Sequence, residues 1–358
     1  MTNYLKTGAI FRDEFINIIK KINSRKENLI DEVYGSIALH ERYTARPMFR
    51  LPNISMEQLK DFVARLRRLN VKFNYTLNTS YIGGRDDLND ERIKIRKIVR
   101  ELGNIGIMDY TVTLPIIAEI IREELPNAGI CVSTIAHIDT ITQIKMWKEK
   151  YDVTGICMNL LKNRDICFLK NSVKYCSSKS IKIELMVNEF CGNICAKNDI
   201  ISATHCIYRE HCYQLHSIGY QKNEREMQYP MKNCEENRDI ALAWLKQRFI
   251  RPEDMGHYHG IGIRHFKVTG RTADLPYMEQ VLEAYATGCY DGNLLELWYP
   301  LKKIEHSEDW SACYLENARL DGFVDFWFEE NFRCDDVLCG EQCNYCDCFF
   351  EKMGKKKK

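Results

Sequence analysis

The chain has 358 residues, 45% hydrophobic and 28% charged, an ordinary balance for a chain that buries one large core or folds as two domains. Its formal net charge is +1, and without the four terminal lysines, Lys355 to Lys358, its 51 basic residues fall three short of its 50 acidic ones, so bulk charge gives no argument for a nucleic-acid partner. No apolar run approaches the roughly 20 residues of a membrane helix, and the opening "MTNYLKTGAIFRDEF" lacks the apolar stretch of a secretory signal, which predicts a cytoplasmic protein with no membrane contact.

In chain order, "NYLKTGA" reads as a short strand before the helix of "RDEFINIIKKI", and "IDEVYGSIA" near 30–38 as the next strand. Ser55 with Gln58 three positions on makes a capping box. It opens a helix with Leu59, Phe62, Val63, Leu66 and Leu69 on one face and solvated basic residues on the other. "VKFNYTLN" (71–78) alternates Val71, Phe73, Tyr75 and Leu77 with a period of two. "ERIKIRKIVREL" (91–102) places Ile95, Ile98, Val99 and Leu102 on one helical face. Strand-like "IMDYTVTL" (107–114) precedes a helix from Ile116 to Glu124. "GICVSTI" (129–135) precedes one that starts after Asp139, and "VTGICMN" (153–159) one from Asp165 to Cys176. "IKIELMV" (181–187) is the seventh strand, and "IRHFKV" (263–268) the eighth, followed by a helix from Leu275 to Tyr285.

Strands alternating with helices predict parallel βαβ units, and eight of them predict an α/β fold, a (β/α)8 TIM-like barrel with a cysteine-rich C-terminal extension. The barrel is expected over residues 1–290, with an insertion around 188–240, and the extension over 291–358. The rival doubly wound sheet lacks its Gly-rich phosphate loop, since "IGGRDD" (82–87) is only a loop signal. Chemistry in such barrels sits at the C-terminal ends of the strands.

Sixteen cysteines in a reducing compartment need a reason other than disulfides. Cys131 and Cys157 lie inside strands and read as small core residues. The stretch "VNEFCGNICAKNDIISATHC" (187–206) starts at the end of the seventh strand and carries Cys191, Cys195 and Cys206, with Cys212 and Cys234 beyond. Zinc favours two tight C-x2-4-C pairs, and only Cys191 and Cys195 form one, whereas an iron–sulfur cluster accepts dispersed thiolates. His205, His211 and His216 are further ligands or surface residues, and a cysteine-rich loop without metal is the competing reading. The tail "CDDVLCGEQCNYCDC" (334–348) holds a second group. Its Cys339, Cys343 and Cys346 have the C-x3-C-x2-C spacing of radical S-adenosylmethionine enzymes. Only a dozen residues follow Cys346, however, and Cys334 or Cys348 supplies a fourth thiolate that closes the open iron such enzymes need. A second iron–sulfur cluster or a zinc ion on Cys334, Cys339, Cys343 and Cys346 is expected instead.

Glu184 alternates with Ile183 and Leu185, so it faces the barrel interior, where a carboxylate needs a partner such as Lys267 and has access to a proton-transfer role. Lys267 and Arg271, at the end of the last strand, suit an anionic substrate group, with an ion pair to Glu253 or Asp254 as the alternative. No Ser or Cys stands beside an evident His-and-acid pair, and H-E-x-x-H is absent.

"KIELMVNEFCGNIC" and "FIRPEDMGHYHGIGIRHFKVTGR" together resemble peptidase family U-32, over roughly residues 30–290. The shared features are a Glu-containing apolar strand, a cysteine-bearing loop, a further cysteine, and the strand end Phe266-Lys267-Val268-Thr269-Gly270-Arg271. The resemblance implies a [4Fe–4S] cluster on Cys191, Cys195, Cys206 and Cys234, with Cys212 competing for the third place. It also implies oxygen-independent hydroxylation, or a related redox modification, of RNA or a small metabolite. A peptidase of the U-32 type, or a noncatalytic iron–sulfur subunit serving a partner of the same family, is the alternative. Glu184, Lys267 and Arg271 are the expected catalytic residues. The first cysteine pair is tighter than in the hydroxylases, and Asn188-Glu189-Phe190 stands where they have His-Gly, which leaves the substrate open.

Overall fold

The period-two segments become strands and the segments of period 3.6 become helices. The computed structural model describes residues 2–25, 29–46, 51–84, 86–189, 240–270, 274–297 and 314–354. The strands are β1 (Tyr4–Gly8), β2 (Leu29–Gly35), β3 (Lys72–Leu77), β4 (Asp109–Val112), β5 (Gly129–Val132), β6 (Gly155–Cys157), β7 (Lys182–Met186) and β8 (His265–Val268). Each pairs in parallel with the next, and β8 closes on β1 through Tyr4↔His265 and Lys6↔Lys267, giving a closed eight-stranded barrel. The α/β barrel read from the alternation is therefore the fold.

The helices α1 (Asp13–Asn23), α2 (Met56–Arg68), α3 (Leu88–Asn104), α4 (Pro115–Glu124), α5 (Ile141–Tyr151) and α6 (Ile166–Ser177) follow β1 to β6 in turn. Between β7 and β8 stand α7 (Ile240–Leu245) and α8 (Met255–Gly260), and α9 (Leu275–Thr287) follows β8. Their starts are written in the sequence. Ser55 and Gln58 form the capping box of α2, Thr140 and Gln143 form another at α5, and Asp165 and Asp274 accept from the first turns of α6 and α9. Leu5, Val33, Tyr110, Ile130, Leu185 and Phe266 leave no surface exposed and share one apolar cluster with Phe15, Leu59, Val99, Ile117 and Leu169 of the helices. Removing that much apolar surface from water is the main term holding the barrel closed.

That cluster continues into the C-terminal segment, through Phe323 and Trp327 of α10 (Asp325–Glu330) and its approach, and Cys346 and Met353 of α11 (Tyr345–Gly354). Tyr345 stacks on Phe326 at 4.1 Å, and Tyr345 Oη donates to the carbonyl of Phe323 at 2.9 Å. The guanidinium of Arg164 enters this aromatic group, 4.3 Å from the ring centre of Trp327, 5.1 Å from Phe323 and 5.2 Å from Phe249. Among the described residues no helix is long and apolar enough to cross a membrane.

Candidate functional site

A closed barrel buries both faces of every strand, so its inward side chains usually are branched and apolar. Here they are not. Lys6 of β1, Glu32 of β2, Asn74 of β3, Thr111 of β4, Glu184 of β7 and Lys267 of β8 are all buried. Alternation puts them inward because Leu5, Val33, Tyr110, Leu185 and Phe266, their neighbours in sequence, face the helices.

Lys6 is the hub of this interior. Its Nζ lies 2.5 Å from Glu32 Oε1 and 3.1 Å from Glu184 Oε1. One ammonium thus holds two carboxyl groups, both nearly sealed from solvent. Charges this deep require pairing, and the arrangement pushes the proton affinities of the two acids apart. Burial pushes the carboxyl of Glu32 up, and Lys6 only partly offsets this. Burial acts on Glu184 in the same sense, but Lys6 and Lys267 outweigh it and hold its carboxyl below the usual range. Glu184 Oε2 is buried and has no hydrogen-bond partner among the described residues.

Lys267 sits higher in the barrel. The register pairs His265 with Glu184 and Lys267 with Met186, so Lys267 is two residues nearer the C-terminal ends of the strands than Glu184. Its Nζ lies over the ring of Tyr34 at 4.3 Å, a cation–π contact. Burial lowers its affinity for a proton, yet the neighbouring Cys157 and Tyr34 keep its ammonium favoured overall. Above it, Asn188 ties the loops after β7 and β8: its Oδ1 accepts from Thr269 N at 2.7 Å and its Nδ2 donates to the carbonyl of Leu297 at 3.1 Å. On the β5–β7 side Cys131, Cys157, Leu160 and Met186 form a small apolar cluster of their own. Burial pushes both thiols up, so these cysteines are the protonated small hydrophobes expected of them.

At the opposite, N-terminal end, His265 stacks on Tyr4 at 5.1 Å and approaches Asp31 at 4.0 Å. Burial, helped by Glu32, pushes the Asp31 carboxyl up to about 7. Burial, helped by Lys182, lowers His265 to about 4.

Of the residues anticipated from sequence, Glu184 and Lys267 do meet inside the barrel, but Lys6 rather than Lys267 is the ion-pair partner of Glu184. Neither Glu253 nor Asp254 pairs with Lys267. Asp254 is bound to Arg251, and Glu253 Oε1 accepts from Tyr290 N and Asn317 Nδ2. Arg271 lies outside the described residues, as do Cys191, Cys195, Cys206, Cys212 and Cys234.

The expected [4Fe–4S] cluster, and with it a second cluster or zinc on Cys334, Cys339, Cys343 and Cys346, is corrected. Among the described residues no group of three or more His, Cys, Asp or Glu side chains is placed to hold a metal ion. Local spacing suggested a knot of thiolates; Cys334, Cys339, Cys343 and Cys346 do lie near one another, with Cys339 and Cys343 joined by a β-bridge. Cys346 turns inward from α11, where burial pushes its thiol up to about 12. Cys348 is exposed, and Cys334 Sγ accepts a hydrogen bond from Trp327 Nε1 at 3.1 Å. Lys6 and Glu32 went unnoticed in the sequence. The available signal was a charged residue inside strands that must be buried on both faces.

The family model described as peptidase family U32 matches residues 19–293. The uncharacterized protease MJ1657 of Methanocaldococcus jannaschii is 28% identical over 344 residues, covering 96% of this chain and 94% of its own. Among solved structures, the U32 peptidase Mk0906 is similar over 75% of this chain and 93% of its own, with 13% identity and a TM-score of 0.49. The ligand-free cyclic alpha-maltosyl-(1-->6)-maltose hydrolase of Arthrobacter globiformis covers 76% of this chain and 72% of its own, with 8% identity and a TM-score of 0.40.

Proposed function

The chain belongs to peptidase family U32, and from that membership we propose that it is a peptide hydrolase whose chemistry takes place inside the barrel, on Glu184 and Glu32, with Lys267 facing the substrate. The single observation that carries the reading is the pair of carboxyl groups on one ammonium, with their proton affinities pushed apart and one oxygen, Glu184 Oε2, left without a partner. Two acids whose proton affinities are pushed apart are the usual equipment of general acid–base catalysis.

In this reading Glu184 Oε2 takes a proton from a water as its oxygen bonds to the scissile carbonyl carbon. Glu32, whose proton affinity burial raises, gives a proton to the amide nitrogen as the C–N bond breaks. Lys6 touches both carboxyl groups and stays an ammonium throughout. A proton passed from Glu184 back to Glu32 restores the starting state. Oxygen-independent hydroxylation of RNA or a metabolite is the weaker reading. Family and relative both carry peptidase or protease in their names, and the paired Lys and Glu side chains are acid–base groups.

The test is to incubate the protein with a mixed peptide library and follow products by mass spectrometry, alongside Glu184→Gln and Glu32→Gln. The wild type is expected to shorten peptides, and each variant to lose about 10²–10⁴-fold in rate. Cleavage by Glu184→Gln at the wild-type rate would remove Glu184 from the chemistry.

A further inference from the structure

Two turns at the N-terminal end of the barrel, away from the strand ends where Lys267 sits, frame a cleft of about 290 Å³. In one turn, between α2 and β3, Asn70 is left-handed with φ 59°. In the other, between α3 and β4, Gly106 has φ 89°. The floor of the cleft is apolar, from Val63, Val71 and Phe73, all buried, and the exposed Met108 stands beside it. The rim is charged. It carries Arg67 from the last turn of α2, Lys72 at the start of β3 and Asp109 at the start of β4.

Arg67 is pinned at the edge of this cleft. Its Nη2 donates to the carbonyl of Gly106 at 2.8 Å. A Cβ at position 106 would come within 2.6 Å of that nitrogen and displace the guanidinium, and the backbone conformation there also favours glycine. A guanidinium has five N–H donors, and this contact uses one of them on a neutral carbonyl. Among the described residues no carboxylate lies within ion-pair distance of Arg67, whereas Lys72 Nζ is 3.8 Å from Asp109 Oδ1, a loose pair. Two cations and one carboxylate leave the rim with one positive charge in excess.

We propose that this cleft binds a small monocarboxylate with an apolar body, its carboxylate on Arg67 and its hydrocarbon against Val63, Val71, Phe73 and Met108. The planar fork of guanidinium donors matches the two oxygens of a carboxylate. The apolar floor removes the hydrocarbon from water. The volume stands at the lower end of the range for small-molecule sites, about 300–1,000 Å³, so the ligand is short. One excess positive charge matches one carboxylate, and the neighbouring Asp109 repels a doubly charged phosphate. Binding here needs none of the groups inside the barrel and stands apart from the hydrolase reading.

The experiment titrates the full chain with hexanoate, hexanamide and hexylamine by calorimetry. Hexanoate is expected to saturate one site. Hexanamide, of the same shape without the charge, should bind at least about tenfold more weakly, as when a charged hydrogen bond becomes a neutral one. Hexylamine should not bind. Arg67→Met should bring hexanoate down to the level of hexanamide, while Arg68→Met, next in sequence but outside the cleft, should leave its binding unchanged. Both arginines are exposed, so neither substitution endangers the fold. The proposal is overturned by equal binding of acid and amide, or by no saturable binding of hexanoate at millimolar concentrations. It is also overturned if Arg67→Met leaves hexanoate binding intact, or if Arg68→Met weakens it as much. The acid–amide comparison needs only the wild type, and none of these outcomes depends on peptide turnover, so the hydrolase reading stands or falls separately.

Discussion

Lys6 and Arg164 are both buried cations, and they are held by opposite means. Lys6 is neutralised by two carboxyl groups at 2.5 and 3.1 Å, in an interior that retains an unpartnered oxygen on Glu184. Arg164 is surrounded by the rings of Trp327, Phe323 and Phe249, with its Nη2 donating to the carbonyl of Leu245 at 3.1 Å. The arrangement around Arg164 is closed: ring faces and a backbone carbonyl take up the charge, and the C-terminal segment is fastened to the barrel. The arrangement around Lys6 is open in the chemical sense, because its acids differ in proton affinity and have acceptor capacity to spare. Burial alone therefore does not mark a site; what matters is whether the groups that compensate the charge can themselves react.

The sharpest way to break this contrast is Glu184→Gln. It should cost about 10²–10⁴-fold in peptide turnover while the barrel stays folded, as checked by circular dichroism. Next in size is Lys6→Met, which strands two buried carboxyl groups. A loss of about 4 kcal/mol in urea unfolding at neutral pH is expected, with part of it recovered on acidification as those groups protonate. Trp327→Ala is expected to cost about 3 kcal/mol through the lost ring volume and cation–π contact. Activity per folded molecule should remain unchanged, because the aromatic enclosure of Arg164 takes no part in the chemistry. The smallest effect belongs to the bottom of the barrel. Asp31 is raised from its ordinary 3.8 to about 7 in the fold. The folded state therefore holds this proton more tightly than the unfolded chain does, and stability falls as pH rises between those two values. Asp31→Asn should remove that slope and raise stability by about 1–2 kcal/mol near pH 8, the partial exposure of the side chain reducing the full linkage. Thermal melts at several pH values check it.

How far the sequence foretells this depends on how local each signal is. The helices were legible because their caps and apolar stripes are contiguous, as at Ser55 and Gln58. The strands were legible because alternation needs only a few residues. Glu184 and Lys267 stood out as charged residues inside clear alternation. Lys6 did not, because β1 has only five residues, and neither did Glu32, because Asp31 precedes it and alternation alone does not say which acid turns inward. The enclosure of Arg164 was hidden for another reason: its rings come from segments far apart in sequence and meet only in the folded chain. The tail cysteines show the converse error. Close spacing suggested a shared metal, yet a helix starting at Tyr345 turns Cys346 inward and leaves Cys348 exposed.

The most direct test of the central claim, that the Lys6–Glu32–Glu184 interior hydrolyses peptides, is to run the reaction in water enriched in heavy oxygen and weigh the products. The account predicts one heavy oxygen in the newly formed carboxylate of the shortened peptide with the wild type, and no such product from Glu184→Gln over the same time. Wild-type protein that yields no labelled carboxylate, or a Glu184→Gln variant that yields it as fast, would contradict the account.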